Sequence, residues 1–565
     1  MQTSSPAKIA EYTAKGWWSD QTFTQLFDST TAAVPTRLAI LDAPNRPDIA
    51  FGAARRLTYA EASACAQRIA AALHAAGVRQ GDSVLVQLPN IAELLLTYIA
   101  VARLGAIISP VPMQYGRHEL GTINKVLRPR ALVSLTKFKT EDVAAQLHEA
   151  FPELPVLAFG PPSHRGVQRL DDTASDAASE AAVTGYISGL KISGNDIYTI
   201  CWTSGTTGKP KGVPRSHNHW FCQSYAVHDA VHLKDGDILL NPFPFVNMAA
   251  ISGFLFVWLF ARGTLALHHP LDLTVMLKQI QDEGVVYTIV PPAALNMLLR
   301  QKELLAAFDL SKLRTICSGS APLSPVMVKG FKDLLNIDVV NTFGSNEGVS
   351  LVSCGEDVPD PEHRALYFPR FGVDGLTWRN RIAQQIKTKL VDPVTHELVT
   401  ERGRAGELWI KGPNVFDGYL HSPVDNTDVF DGEGYFRSGD LFEIVGDDDP
   451  PRFYRFVGRH KDLIIRGGMN ISPDEIDHLL AHHPKVVETA VFGVPDEILG
   501  ERVCLAAVPK PGVTLTLDDF KDFLHEKGVA IFKWPERLMV VDALPRNPLG
   551  KVLRTELRAS SQARG

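Results

Sequence analysis

The stretch that most restricts how this chain can fold runs from Ile197 to Gly212. It begins as Ile197-Tyr198-Thr199-Ile200-Cys201-Trp202, whose β-branched and aromatic residues predict a buried strand. It then passes directly into Thr203-Ser204-Gly205-Thr206-Thr207-Gly208-Lys209-Pro210-Lys211-Gly212. A loop of glycines and hydroxyls at the end of a buried strand can aim backbone N–H groups, hydroxyls and lysines at one polyanion, and a nucleotide triphosphate is the natural guest. The spacing is not that of a Walker A loop. Only two residues separate Gly205 from Gly208-Lys209, and Pro210 occupies the place of the hydroxyl that would hold magnesium. The plain alternative, a solvated polar loop, uses the same residue types.

The neighbouring sequence predicts alternating strands and helices. An alanine-rich helix opens at Leu57-Thr58-Tyr59 and ends at Gly77, Ser83–Leu88 reads as a strand, Ile91–Leu104 as a helix and Ala106–Val111 as a strand. Strand, helix, strand in that order implies parallel pairing with right-handed crossovers. Further βα units run through Val285–Val290 and Leu313–Cys317, whereas the Ser-, Ala-, Asp- and Gly-rich segment 163–193 reads as surface loop. From about Ile386 the texture changes to short strands and turns, a β-rich subdomain. Beyond the charged junction at Arg459–Lys461 lies a compact α+β pattern of its own. A chain of 565 residues is long enough for two or three such units.

Several classes are disfavoured. The net charge of −6 and the lack of a long basic run argue against nucleic acid as a partner. The apolar run Met248–Phe260 is interrupted by Ser252-Gly253 and is too short to span a bilayer, so a buried helix is expected. The first residues lack the apolar stretch of a secretory signal. Six cysteines without a C-x-x-C pair fit neither a disulfide framework nor a zinc site, and suit a reducing cytoplasm. His217 and His219 are expected to cap and pack, and the Asp447–Asp449 tract to be a solvated turn. The aromatic arm around Trp17-Trp18 is expected to pack on the main body.

The loop resembles the signature of the acyl- and aryl-adenylate-forming superfamily, and further motifs in the same order extend that resemblance over nearly the whole chain. They are Ser318-Gly319-Ser320-Ala321-Pro322, Asn341-Thr342-Phe343-Gly344-Ser345-Asn346-Glu347-Gly348, Ser438-Gly439-Asp440, Gly458-Arg459-His460-Lys461-Asp462, Arg466-Gly467-Gly468-Met469-Asn470, and Pro545-Arg546-Asn547-Pro548-Leu549-Gly550-Lys551. The resemblance implies an α/β multidomain fold. Residues 1–459 would form a large AMP-binding domain of βα layers, with its β-rich subdomain at about 386–459, and residues 460–565 a small mobile α+β domain.

It also implies a division of labour. Thr203, Ser204, Gly205, Thr206, Thr207, Gly208, Lys209 and Lys211 would grip the ATP phosphates. Ser318, Gly319 and Ser320 would lie against adenine and one wall of the acyl pocket. Asn341, Phe343 and Gly344 would meet the base, with Asn346 near the α-phosphate where the family usually has Thr. Glu347 would hold Mg²⁺, and Asp440 the ribose hydroxyls. Arg459 would stand near the α-phosphate, Lys461 at the hinge and Lys551 at the reacting carboxylate, while the Gly467-Gly468 loop would approach the pantetheine tunnel of coenzyme A. Phe245, Asn247, Met248, Gly348 and Val349 would shape the acyl pocket.

The implied activity joins a monocarboxylic acid to AMP and then to a thiol. The apolar neighbours Phe245, Met248 and Ile251 favour an alicyclic, aromatic or medium-chain acid. Similarity extends to cyclohexanecarboxylate-type CoA ligases and to dihydroxybenzoate-activating enzymes. Phe245-Val246-Asn247 departs from the His-Asn-Tyr-like segment of the latter, which favours coenzyme A over a carrier protein. A silent adenylate-binding sensor is the third reading, opposed by Lys551, Glu347 and Asp440. The acid's identity and the oligomeric state, a homodimer among the options, stay open.

Overall fold

The computed structural model describes residues 1–161, 164–173, 177–204, 210–320, 323–393, 395–459, 464–471, 473–480, 483–545 and 552–563. Two sheets with parallel centres meet around the largest core. One has seven strands, in the order Val167–Leu170, Val156–Phe159, Ala131–Leu135, Ser83–Val86, Ile107–Pro110, Ile197–Ser204, Pro210–Ser216. Its pairs are parallel except the last, an antiparallel hairpin. The expected parallel pairing is present: Ala92–Arg103, every residue of it buried, connects the parallel strands Ser83–Val86 and Ile107–Pro110, and Tyr59–Ala75 before them starts from a capping box between Thr58 and Glu61. A helix apolar on all sides belongs between layers.

The second sheet has eight strands, ordered Ser350–Ser353, Asp338–Gly344, Thr315–Gly319, Tyr287–Ile289, Ile238–Asn241, Thr264–Leu267, Leu38–Leu41, Arg56–Thr58, with antiparallel pairs only at its two edges. Val84, Ile108 and Tyr198 of the first sheet share one apolar cluster with Leu239 and Leu265 of the second. Six antiparallel strands between Tyr367 and Arg459 form the β-rich part. The C-terminal sheet, Met469–Ile471, Ile464–Arg466, Gly500–Pro509, Val486–Asp496 and Arg537–Val540, has a separate core with Ile476 and Phe520 from its helices. This part touches the body at Glu119, whose Oε1 accepts from the Ala530 amide at 3.0 Å and lies 3.5 Å from Lys533 Nζ.

The segment 163–193 departs from the expected loop. It contains the strand Val167–Leu170 and the helix Ala177–Ser188, because alanine's helix propensity outweighs a polar composition. The run Met248–Phe260 is a buried helix as expected, but Ile251–Leu255 within it is a π-turn. The aromatic arm packs down: Trp18 is buried and its indole N–H donates to Pro413 O at 3.0 Å. All six cysteines are free and buried. Among the described residues no helix is long and apolar enough to cross a membrane.

Candidate active site

The phosphate loop sits at the tip of the edge hairpin. Thr203 pairs with Lys211 and Ser204 with Pro210, so both ends of the loop leave one point of the sheet. Residues Gly205, Thr206, Thr207, Gly208 and Lys209 lie outside the described residues, as do Lys461 and Lys551. For Ser204 and Arg459 the description covers the main chain. Lys211 reaches towards the candidate metal ligand: its Nζ lies 4.9 Å over the Tyr419 ring, and the Tyr419 hydroxyl donates to Glu347 Oε1 at 3.0 Å. Glu347 is buried, and its carbonyl accepts from the Phe416 amide. A buried carboxylate linked through Tyr419 to the lysine that ends the hairpin offers the hard oxygen that magnesium prefers. Among the described residues no cluster of three or more His, Cys, Asp or Glu forms a self-contained metal site. The residues thus fit a cation shared with bound phosphates better than a protein-only cage.

The segment after the second sheet's strand Asp338–Gly344 is fixed by side chains acting on main chain. Asn346 Nδ2 donates to Trp202 O at 3.3 Å and its Oδ1 accepts from the Met248 amide at 2.8 Å, tying the phosphate hairpin to the start of the buried helix. An Asn can do both, whereas the usual Thr offers a single hydroxyl. Gly348 has φ +106°, and a Cβ there would stand 2.1 Å from Asn414 O, so only glycine fits beside Glu347. Arg215 was not apparent from the sequence. Fully buried, it donates to the carbonyls of Asn346 (2.8 Å), His219 (3.1 Å) and Asn414 (2.7 Å), and its guanidinium lies 4.4 Å over Trp220. Burial pulls it down to about 10.

A cavity of about 80 Å³ lies beside these groups. Gly319, Ser320, Phe343, Gly344 and Met248 line it, so residues named from sequence for the base and residues named for the acyl pocket share one cavity. Gly319 is pressed on the neighbouring strand, where a Cβ would sit 2.0 Å from Thr342 O, and Ser320 holds a left-handed φ of +68°. Phe343 lines the cavity and makes a T-shaped contact with Phe442, ring centres 4.9 Å apart. The other residues named from sequence stand differently. Ser318 Oγ donates to Val290 O, and Asn341 Nδ2 donates to the carbonyls of Arg364 and Ala365, so both brace the strands behind the cavity. Phe245 is buried in the core and its carbonyl accepts from Tyr98, Asn247 caps the short helix at Met248, and Val349 is fully buried. The cavity wall instead includes Gln223, Val227, Gly253, Tyr287, Cys317 and Val352. The one sequence trace of this wall was the Ser252-Gly253 break in an apolar run.

Asp440 is buried, its amide donating to Ser438 Oγ at 3.1 Å, on a strand paired with Arg459. Gly467 and Gly468, at φ +54° and +81°, form the two-residue turn between Ile464–Arg466 and Met469–Ile471, and a Cβ on either would meet no described atom closer than 3.8 Å. Both positive φ values are the ones such a turn requires. His217 and His219 cap and pack as expected. His217 Nδ1 accepts from the Phe23 amide, His219 Nδ1 accepts from the Ser216 amide, and burial pulls both rings down to about 3.

A hydroxyl-bearing hairpin, a buried acid near it, a strand-end aromatic and an adjoining cavity make this the candidate site for a nucleotide and a second, smaller molecule. The chain belongs to the AMP-binding enzyme family, which it matches over residues 32–420, with the family's C-terminal domain matched over 475–551. It is 29% identical to enterobactin synthase component E of Escherichia coli (strain K12), covering 98% of this chain and 97% of that one. It is 28% identical to the medium-chain fatty-acid–CoA ligase of the same organism, covering 98% and 93%. The solved amide bond synthetase McbA from Marinactinospora thermotolerans superposes with a TM-score of 0.77 over 96% of this chain and 99% of that one. At 22% identity it bears on the fold alone.

Proposed function

We infer that this enzyme activates an apolar monocarboxylic acid with ATP and transfers the acyl group to coenzyme A. In the first step a carboxylate oxygen bonds to the α-phosphorus, the bond to the β-phosphate oxygen breaks, and pyrophosphate leaves. In the second a thiolate attacks the acyl carbon and AMP departs. The observation that carries this reading is the junction of an apolar cavity, whose described lining has no charged side chain, with Phe343-Gly344 and the adjoining Glu347–Tyr419–Lys211 group. An acid seated there has its apolar body in the cavity and no cation to pair with a second carboxylate.

Glu347 would hold magnesium, which supplies charge neutralisation to the leaving pyrophosphate. Thr203, Lys209 and Lys211 serve the β- and γ-phosphates, Asp440 the ribose, and Arg459 and Lys551 the α-phosphate and the attacking carboxylate. Turning of the small domain about Lys461 exchanges Lys551 for the Gly467-Gly468 loop between the two steps. The likeness to a CoA ligase over 98% of the chain supports coenzyme A as acceptor, while the equal coverage of a synthase component supports a protein-borne thiol as the second reading. Trapping the adenylate with hydroxylamine over a panel of acids, then supplying free coenzyme A, separates the two. Acyl-CoA formation supports the first reading, and hydroxamate without acyl-CoA supports the second.

A further inference from the structure

Tyr287 carries a polar atom that the fold does not use. The residue is 1% exposed and its ring stacks on Phe254 at 5.0 Å, yet its hydroxyl has no nitrogen or oxygen partner among the described residues. The Cys317 thiol beside it is a weak partner. Nearby buried tyrosines are satisfied: Tyr59 donates to Gly263 O at 2.8 Å, Tyr98 to Phe245 O at 2.6 Å and Tyr198 to Tyr98 O at 3.2 Å. Buried hydroxyls are almost always paired, so an exception lining a cavity points to an absent partner.

Tyr287 lines the cavity, and a glycine stands over its hydroxyl. Gly253, also in the wall, faces it, and a Cβ at Gly253 would stand 3.4 Å from the Tyr287 oxygen. Gly253 lies in the π-turn Ile251–Leu255, a distortion that recurs at functional sites. Strand register sets the depth. Tyr287 pairs with Thr315, four residues before Gly319, which places it about 13 Å along the strand from the end that meets Thr342.

We propose that the acid carries a neutral oxygen, a ketone or hydroxyl, on its apolar body remote from the carboxylate, and that Tyr287 is the residue that recognises it. This rests on the cavity being the acyl site. The described lining offers no charge for an ionised group, while Tyr287 can donate to a ketone or exchange a hydrogen bond with a hydroxyl. A site built to bond such an oxygen rejects the analogue that lacks it, because the site's own polar atom is then left unpaired.

The test compares matched acids by pyrophosphate release: cyclohexanecarboxylate with its 3- and 4-oxo and 4-hydroxy derivatives, and benzoate with 3- and 4-hydroxybenzoate. At least one oxygenated member should exceed its parent at least tenfold in kcat/KM. Tyr287→Phe keeps the stacked ring, and Gly253→Ala covers the hydroxyl. Each should bring that ratio below about threefold. Parents equal to or better than every derivative in the natural enzyme, or an undiminished ratio in both variants, would overturn the assignment while leaving acid activation intact. Absence of pyrophosphate release with every acid would overturn the activation reading and this assignment with it.

Discussion

Replacing Arg215 by Met removes the cation that ties together three segments of the site. The Arg215 guanidinium donates to Asn346, His219 and Asn414 carbonyls that bulk water does not reach through this side chain. Three carbonyls losing a buried donor cost about 2 kcal/mol each. Loss of the contact over Trp220 adds about 1–2 kcal/mol. Against this, a guanidinium held near 10 instead of 12.5 carries about 3 kcal/mol of unfavourable charge burial, which Met relieves. The orphaned carbonyls win, and the expected net loss is about 4 kcal/mol, a large share of a typical folding stability. Urea unfolding followed by tryptophan fluorescence measures it. At a temperature where the variant is still folded, acid-dependent pyrophosphate release should also fall, since Asn346 and Asn414 flank Glu347 and Gly348. A stability loss below about 1 kcal/mol would refute this account of Arg215.

Other outcomes follow from the same geometry. Gly348→Ala combines a left-handed φ with a Cβ 2.1 Å from Asn414 O, so it should lower stability by about 3 kcal/mol and displace Glu347; a variant with native activity and unfolding midpoint would contradict this. Burial holds His217 and His219 near 3, far below the roughly 6.5 of an unfolded chain. Their stability contribution is complete above pH 6.5 and declines as pH falls towards 3, by up to about 1.4 kcal/mol per pH unit for each ring. The urea midpoint should therefore drop between pH 7 and pH 5, and His217→Asn, which keeps an acceptor for Phe23, should flatten the decline.

What was legible in the sequence was local. The strand beginning at Ile197 and the helix after Thr58 declare themselves through neighbouring residues, and each occupies the expected element. The cavity wall was not legible, because it is assembled across distance. Gln223 comes from a helix, Gly253 from a π-turn, and Tyr287 and Cys317 from adjacent parallel strands, and sheet register alone makes them neighbours. Asn341 and Ser318 show the converse. Both stand in motifs, yet their hydrogen bonds turn them away from the cavity to hold its frame. Arg215 gave no signal because its role depends on burial and on carbonyls contributed by three separate segments.

The most direct test of the account follows Lys211, one end of the phosphate loop, through the two half-reactions separately. Lys211→Ala should slow acid-dependent formation of AMP and pyrophosphate at least tenfold, while conversion of supplied acyl-adenylate to acyl-CoA stays within about twofold of the natural rate. Release of ADP and phosphate in place of AMP and pyrophosphate, or equal losses in both half-reactions, would contradict it.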